Sequence, residues 1–210
     1  MKRFLCLIVF LCLFPEKTQH PGFLLINNNE IILNMADINK LVSILLKWEG
    51  GFVNDPVDKG GATNMGVTID TWKRVGYDVD GDGDIDIDDL IQLNKEQVVI
   101  DVLKPHYWNK WQADNINNQS IANLVVDWTW GSGVWGIKHP QRVLGVKVDG
   151  IVGPKTLAAV NDYPDQKELF EKLWLRRKKH FEDIVEKDPT QKRFIKGWLN
   201  RLNDFKYTEK

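Results

Sequence analysis

LLKWEGGFVNDPVDKGGATNMGV, running from Leu45 to Val67, is the stretch on which the reading of this chain turns. It begins at the end of an amphipathic helix, where Ile38, Leu41, Val42 and Leu45 recur at helical spacing. Four residues further along that stripe stands Glu49. A carboxyl group held against apolar packing is harder to ionise, which suits a general acid working near neutral pH. Gly50 and Gly51 are expected to stop the helix, because glycine tolerates the left-handed backbone found just past helix ends. Asn54-Asp55-Pro56 and Lys59-Gly60-Gly61 are turn sequences, so the chain should fold back as a small hairpin or loop layer. That fold-back carries Asp55, Asp58 and Thr63 past Glu49. One shielded carboxyl group, a second in a polar loop and a nearby hydroxyl suit cleavage of a glycosidic bond.

The string WEGGFVNDPVDKGGATNMGVT resembles the signature of glycoside hydrolase family 108, N-acetylmuramidase-like lysozymes also called secretion activators. The resemblance implies that the glutamate of the E-G-G motif, Glu49, is catalytic. The spacing is also similar to that of phage-type lysozymes, in which a Glu, an Asp and a Thr sit at one helix end and a hairpin. The Glu49 to Asp58 separation matches that pattern, whereas Thr63 stands one residue closer to Asp58 than the pattern has it. Asp58 and Asp55 therefore both stand as candidates for the second carboxylate, with Asp55, ahead of Pro56, also suited to bracing the turn.

A chain of 210 residues, 43% hydrophobic and 27% charged, has the make-up of an ordinary globular protein with one domain or two small ones. Of nine tryptophans, Trp48, Trp72, Trp128, Trp174 and Trp198 fall within helical apolar patterns and are expected in the core. Both cysteines, Cys6 and Cys12, lie in the first 14 residues, so the folded body offers no internal disulfide and no thiol chemistry. His20, His106, His139 and His180 are scattered without zinc-ligand spacing, which argues against a zinc enzyme. Residues 1–34 read unlike the rest. Lys2-Arg3 followed by FLCLIVFLCLF has the charged start and short apolar run of a signal peptide, yet no small-residue cleavage site follows. A start at Met35 with an over-extended reading frame upstream is the other reading.

Seven aspartates crowd between Asp78 and Asp89, and without them the formal net charge of −1 turns positive, compatible with an anionic cell wall. DVDGDGDIDIDD matches a calcium-binding loop position by position: oxygen ligands at Asp78, Asp80 and Asp82, the sharp-turn glycine at Gly83, then Asp84 through its main chain, Asp86 and Asp89. Aspartate at the twelfth position resembles the loop of dockerin modules. Dockerins carry two such repeats and this chain has one, so a structural Ca2+ inserted in an enzyme is the expectation.

Downstream, Asn94 to Lys104 reads as a helix ended by Pro105, followed by the aromatic cluster His106 to Trp111. Tyr107, Trp108 and Trp111 fit no clean stripe and are candidates for lining a sugar groove, with core packing the alternative. A helix from Ser120 carries Ile121, Leu124, Val125 and Trp128 in register and ends at Gly131-Ser132-Gly133. Asp149-Gly150, Gly153 and Pro154 mark turns and a helix start. The same residues resemble the D-G-x-x-G-P-x-T-L core of helical peptidoglycan-binding domains. Two further helices follow Pro164 and Pro189, and Arg176-Arg177-Lys178-Lys179 reads as a solvated helix face.

The fold expected is mainly α, lysozyme-like: two helical lobes with a cleft between them and a small β-hairpin at the active site. Residues 35–113 would form the catalytic domain with the calcium loop 78–89 inserted, 114–190 a peptidoglycan-binding-like helical module, and 191–210 a C-terminal helix. The resemblance implies hydrolysis of peptidoglycan between N-acetylmuramic acid and N-acetylglucosamine, at the cell wall, in the periplasm or outside. Catalysis should need no cofactor. A monomer is expected, with no nucleic-acid partner and no stable membrane insertion. A lytic transglycosylase, a non-catalytic wall-binding protein and an export-associated role are the alternatives.

Overall fold

The computed structural model describes residues 35–54 and 61–209, all within one compact unit. Helix α1 (Ile38–Trp48) starts at Asp37, whose side chain accepts from the Asn39 amide at 2.9 Å. It ends one residue before the glycines. Glu49 itself leaves helical geometry at φ −84°, ψ 119°, while its amide still donates to the Leu45 carbonyl at 3.2 Å. Neither Gly50 nor Gly51 uses the positive φ that the sequence led us to expect.

The hairpin is present. Strand β1 (Thr63–Asn64) pairs antiparallel with β2 (Val67–Thr68), and Val53 bridges to Thr63. Met65 and Gly66 make the turn with φ of 46° and 79°, the mirror-image geometry that matches strand twist in two-residue hairpins. Thr68 then caps α2 (Ile69–Val75), which buries Trp72. The acidic loop leads into α3 (Ile87–Gln92), started by a reciprocal capping box between Asp86 and Asp89.

Helix α4 (Lys95–Gln97) runs straight into a π-helical stretch, Val98–Trp108, that contains Pro105. Here the expected stop at proline does not occur. Proline lacks the N–H and crowds the carbonyl four residues back in an α-helix, and the wider π turn moves that carbonyl away. Short 3-10 turns follow before α5 (Gln119–Ser132), whose residues Gln119 to Thr129 are all buried. A helix enclosed on every side is a core helix. Around it come α6 (Trp135–Leu144), α7 (Pro154–Asn161, with proline in the first turn), α8 (Gln166–Lys187) and α9 (Ile195–Asp204). The second of the helices expected at prolines is preceded by a 3-10 turn at Pro189–Arg193.

Two hydrophobic clusters result. The larger joins α1 and α5 to α9 around Leu41, Leu45, Ile121, Leu124, Val125 and Leu173. The smaller gathers Ala62, Val67, Trp72, Leu90, Leu93, Val98 and Val102 beneath the hairpin. Tyr107 and Trp130 pack against both clusters. The mainly helical, two-lobed architecture with a small hairpin is the one the sequence indicated. No helix among the described residues is long and apolar enough to cross a membrane.

Candidate active site at Glu49

Glu49 stands where the two clusters meet. Its side chain is only 10% exposed. The carboxylate Oε1 accepts from Trp130 Nε1 at 3.0 Å and from Arg201 Nη1 at 2.6 Å. The other oxygen, Oε2, lies against the hairpin turn, where a methyl group built on Gly66 would run into the carboxylate. Gly66 thus meets two demands at once, a positive φ and a close approach that no side chain permits.

Behind Arg201 lies a second carboxylate, Asp127 of α5, with no exposed surface. It accepts from Arg201 Nη2 at 2.6 Å and from Arg177 Nη2 at 2.7 Å. Burial pushes the Asp127 carboxyl up, but the two guanidinium groups outweigh this and hold it below the ordinary carboxylate range. Burial likewise disfavours the charge on Arg201, yet Asp127 and Glu49 together raise its affinity for the proton. Arg177, buried and facing one carboxylate, is shifted the other way, downward by desolvation. Among the described residues its Nε and Nη1 have no hydrogen-bond partner, and the guanidinium instead packs near the rings of Trp128, Phe181 and Phe205 at 6.0, 5.6 and 5.6 Å. Charges therefore alternate in sign along the series Glu49, Arg201, Asp127, Arg177. A third tie joins the same helices: Trp48 Nε1 and Lys47 Nζ both reach Asp204 of α9, at 2.6 and 2.7 Å.

Of the other sequence candidates, Thr63 is in the hairpin that faces Glu49, while Asp55 and Asp58 lie outside the described residues. Tyr107 is part-exposed and packs at a tilt of 55° against Trp130, ring centroids 4.8 Å apart. Burial raises its phenol above the ordinary value, with the Arg74 charge and the Thr71 hydroxyl pulling the other way. Trp108 and Trp111 are fully buried, donating to Asp114 at 2.7 Å and Thr129 at 2.8 Å, so no sugar reaches them here. Of the three aromatic residues expected to line a groove, only Tyr107 is part-exposed, and it packs beside the part-exposed Trp130. Arg177 overturns the expectation of a solvated 176–179 face for one of its four residues.

Arg201, Arg177, Trp130, Asp127 and Gly66 were not found as site residues by reading the sequence. Two of them leave a trace in it. Arg177 continues the Leu169, Leu173 stripe toward Phe181, and Asp127 is a lone carboxylate inside the apolar run LVVDWTW. A charge on an apolar stripe needs a buried partner.

In the acidic loop, Asp78, Asp80 and Asp82 bring carboxylate oxygens within 4.8 Å of one another, as do Asp84, Asp86 and Asp89. Asp89 is buried, and its oxygens accept from the amides of Val79, Asp80 and Asp86 at 2.6, 3.3 and 2.8 Å. Those bonds hold its carboxyl below the usual range. Asp84 is pushed the opposite way, chiefly by the charge of Asp82.

No curated protein matches the chain. Among solved structures, one titled "Structure of Brucella abortus SagA" is 29% identical, superposes with a TM-score of 0.66, and covers 80% of this chain and 90% of its own. The family description "Glycosyl hydrolase 108" matches residues 42–133, and "Predicted Peptidoglycan domain" matches residues 135–203. The chain therefore joins a glycosyl hydrolase family 108 domain, which contains Glu49, Asp127 and Trp130, to a peptidoglycan domain, which contains Arg177 and Arg201.

Proposed function

We propose that this protein is a peptidoglycan hydrolase of the muramidase type, acting at the cell wall on the bond between N-acetylmuramic acid and N-acetylglucosamine, with Glu49 as general acid. The observation that carries the reading is the setting of Glu49: a nearly buried carboxylate at the junction of two lobes, inside a glycosyl hydrolase 108 match and facing a peptidoglycan domain's arginine. Both donors seize Oε1. Among the described residues Oε2 has none, so Oε2 is the oxygen suited to hold the proton and pass it to the departing sugar oxygen. Tyr107 and Trp130 form the part-exposed aromatic wall beside it, where a sugar face can lie. Asp58 or Asp55 would orient water or stabilise the positive charge that develops on the ring.

Zymography on purified peptidoglycan with wild type beside Glu49→Gln tests the assignment. Glutamine keeps the shape and loses the transferable proton, so clearing should fall by about a hundredfold or more while the fold persists. Near wild-type clearing by the variant removes Glu49 from the chemistry. Mass spectrometry of the products tests hydrolysis itself, since an anhydro product, lighter by one water, would mean transglycosylation.

The same reading gives the 78–89 loop a structural Ca2+. The residues fit it: two sets of three carboxylates converge, and the repulsion that lifts Asp84 is what a divalent cation relieves. Its place in the fold gives that ion a task. Asn64 of the hairpin donates to the carbonyls of Leu90 and Ile91 in α3, at 2.7 and 3.2 Å, so the loop's exit helix anchors the turn that faces Glu49.

A further inference from the structure

Trp135 opens α6, five residues beyond Trp130, and 45% of it is exposed. It is not loosely held. Its ring stacks on His139 at 5.4 Å, and His139 stacks in turn on the fully buried Trp128 at 5.5 Å. A column of three rings thus runs from the core to the surface and fixes the indole in place. Lys138 Nζ and Arg142 Cζ lie 5.6 and 5.8 Å from the same ring. Arg142 is steadied by a hydrogen bond from Nη1 to His139 Nδ1 at 3.3 Å. Neither cation makes an ion pair among the described residues.

The D-G-x-x-G-P turn completes the surface. Gln141, fully buried, donates to Asp149 Oδ1 and to the Ile151 carbonyl, both at 3.0 Å, and accepts from the Gly150 amide at 2.9 Å. This clamp presses Gly150 against Val134 and Lys138, leaving no space there for a side chain. Val134, next to Trp135, and Ile151, next to Gly150, are thereby brought near one another, and both are exposed, Ile151 at 68%. Rigid, exposed apolar groups gathered in one place are the mark of a binding surface.

We propose that Trp135, Lys138 and Arg142 form a second peptidoglycan-binding platform, separate from the groups around Glu49, with a sugar face on the indole and the polymer's carboxylates on the two cations. The occupant follows from charge: an apolar, ring-sized surface flanked by two unpaired cations complements a carboxylate-bearing glycan. The choice of glycan rests on the function proposed above. Five residues of chain span at most about 18 Å, so one glycan strand is long enough to touch both Trp130 and Trp135.

The test uses the full chain carrying Glu49→Gln, so that the wall is not digested, and measures its retention on purified sacculi. Adding Trp135→Ala should weaken retention by about tenfold, the effect typical of losing an aromatic anchor. The pair Lys138→Glu, Arg142→Glu should weaken it similarly and flatten its salt dependence. With Glu49 restored, both variants should cleave short soluble glycan within about twofold of wild type. Retention equal to that of the Glu49→Gln parent in both variants overturns the platform. If Trp135→Ala lowers the melting temperature sharply, the charge-reversal pair decides alone, because both of its side chains are on the surface. Failure of the catalytic reading looks different: wild type then cleaves neither sacculi nor soluble glycan, while the effect of Trp135 on retention persists.

Discussion

Between Asp78 and Asp89 seven carboxylates crowd onto one largely exposed turn, whereas Glu49, Arg201, Asp127 and Arg177 alternate in sign beneath the surface. The first arrangement is pinned by backbone amides against its own repulsion. The second neutralises itself, and every member depends on a residue at least 50 positions away in sequence. The difference shows two arrangements of charge in one fold: a local turn that gathers like charges, and a long-range link that fastens α9 to the candidate catalytic helix end.

The buried link should break first and hardest. Asp127→Ala leaves Arg177 charged, unpaired and enclosed, and removing one partner of a buried pair typically costs about 3–5 kcal/mol. Denaturant unfolding measures the loss, and a change below about 1 kcal/mol would show that the series does not hold the helices together. Next comes the loop. If Ca2+ occupies it, chelation should lower the melting temperature by roughly 5–10 °C, the mass-action effect of a ligand near a hundred times its dissociation constant. Asp78→Ala with Asp82→Ala should abolish that shift, and an identical melt in calcium and chelator would leave the loop without a cation.

A milder change separates positioning from folding. Arg201→Met should reduce wall lysis by up to about a hundredfold through misplacement of Glu49, and should also move the alkaline limb of the pH profile upward as the positive neighbour of the general acid is lost. Arg201→Lys should restore part of both. A folded variant with wild-type rate and profile would reduce Arg201 to a strut. The smallest effect belongs to the His139–His180 pair, whose rings meet at 3.2 Å. Burial lowers both to about 4. The unfolded chain binds protons near pH 6.5 that the folded chain refuses, so stability should fall as pH drops from about 6.5 towards 4. Replacing both by phenylalanine should flatten that slope in thermal melts.

The convergence of carboxylates in the acidic loop was legible in the sequence because they are neighbours whose spacing is dictated by one turn. So were the hairpin after Glu49, the core role of Trp72 and Trp128, and the lysozyme-like helical plan. The buried series was not, although Arg177 sits on the very stripe formed by Leu169, Leu173 and Phe181. Within Arg176-Arg177-Lys178-Lys179 the four charges look alike; only the meeting of α5, α8 and α9 selects the second of them. Trp108 and Trp111 failed the opposite way, because the π-helical stretch through Pro105 rotates them off the α-helical periodicity by which they were judged. Gly66 stayed hidden because nothing in NMGV says that a carboxylate will occupy the space of its missing side chain.

The ion pair between Glu49 and Arg201 spans 152 positions, and this sets a clock on synthesis. At about 5–20 residues per second, roughly 8 to 30 seconds separate translation of the glutamate from translation of its partner. In the later part of that interval, once residue 133 is made, the segment similar to glycosyl hydrolase 108 exists in full while its candidate acid still lacks the guanidinium that fixes it. A nascent chain that stops short of Arg201 thus carries the segment similar to glycosyl hydrolase 108 without the ion pair that holds Glu49.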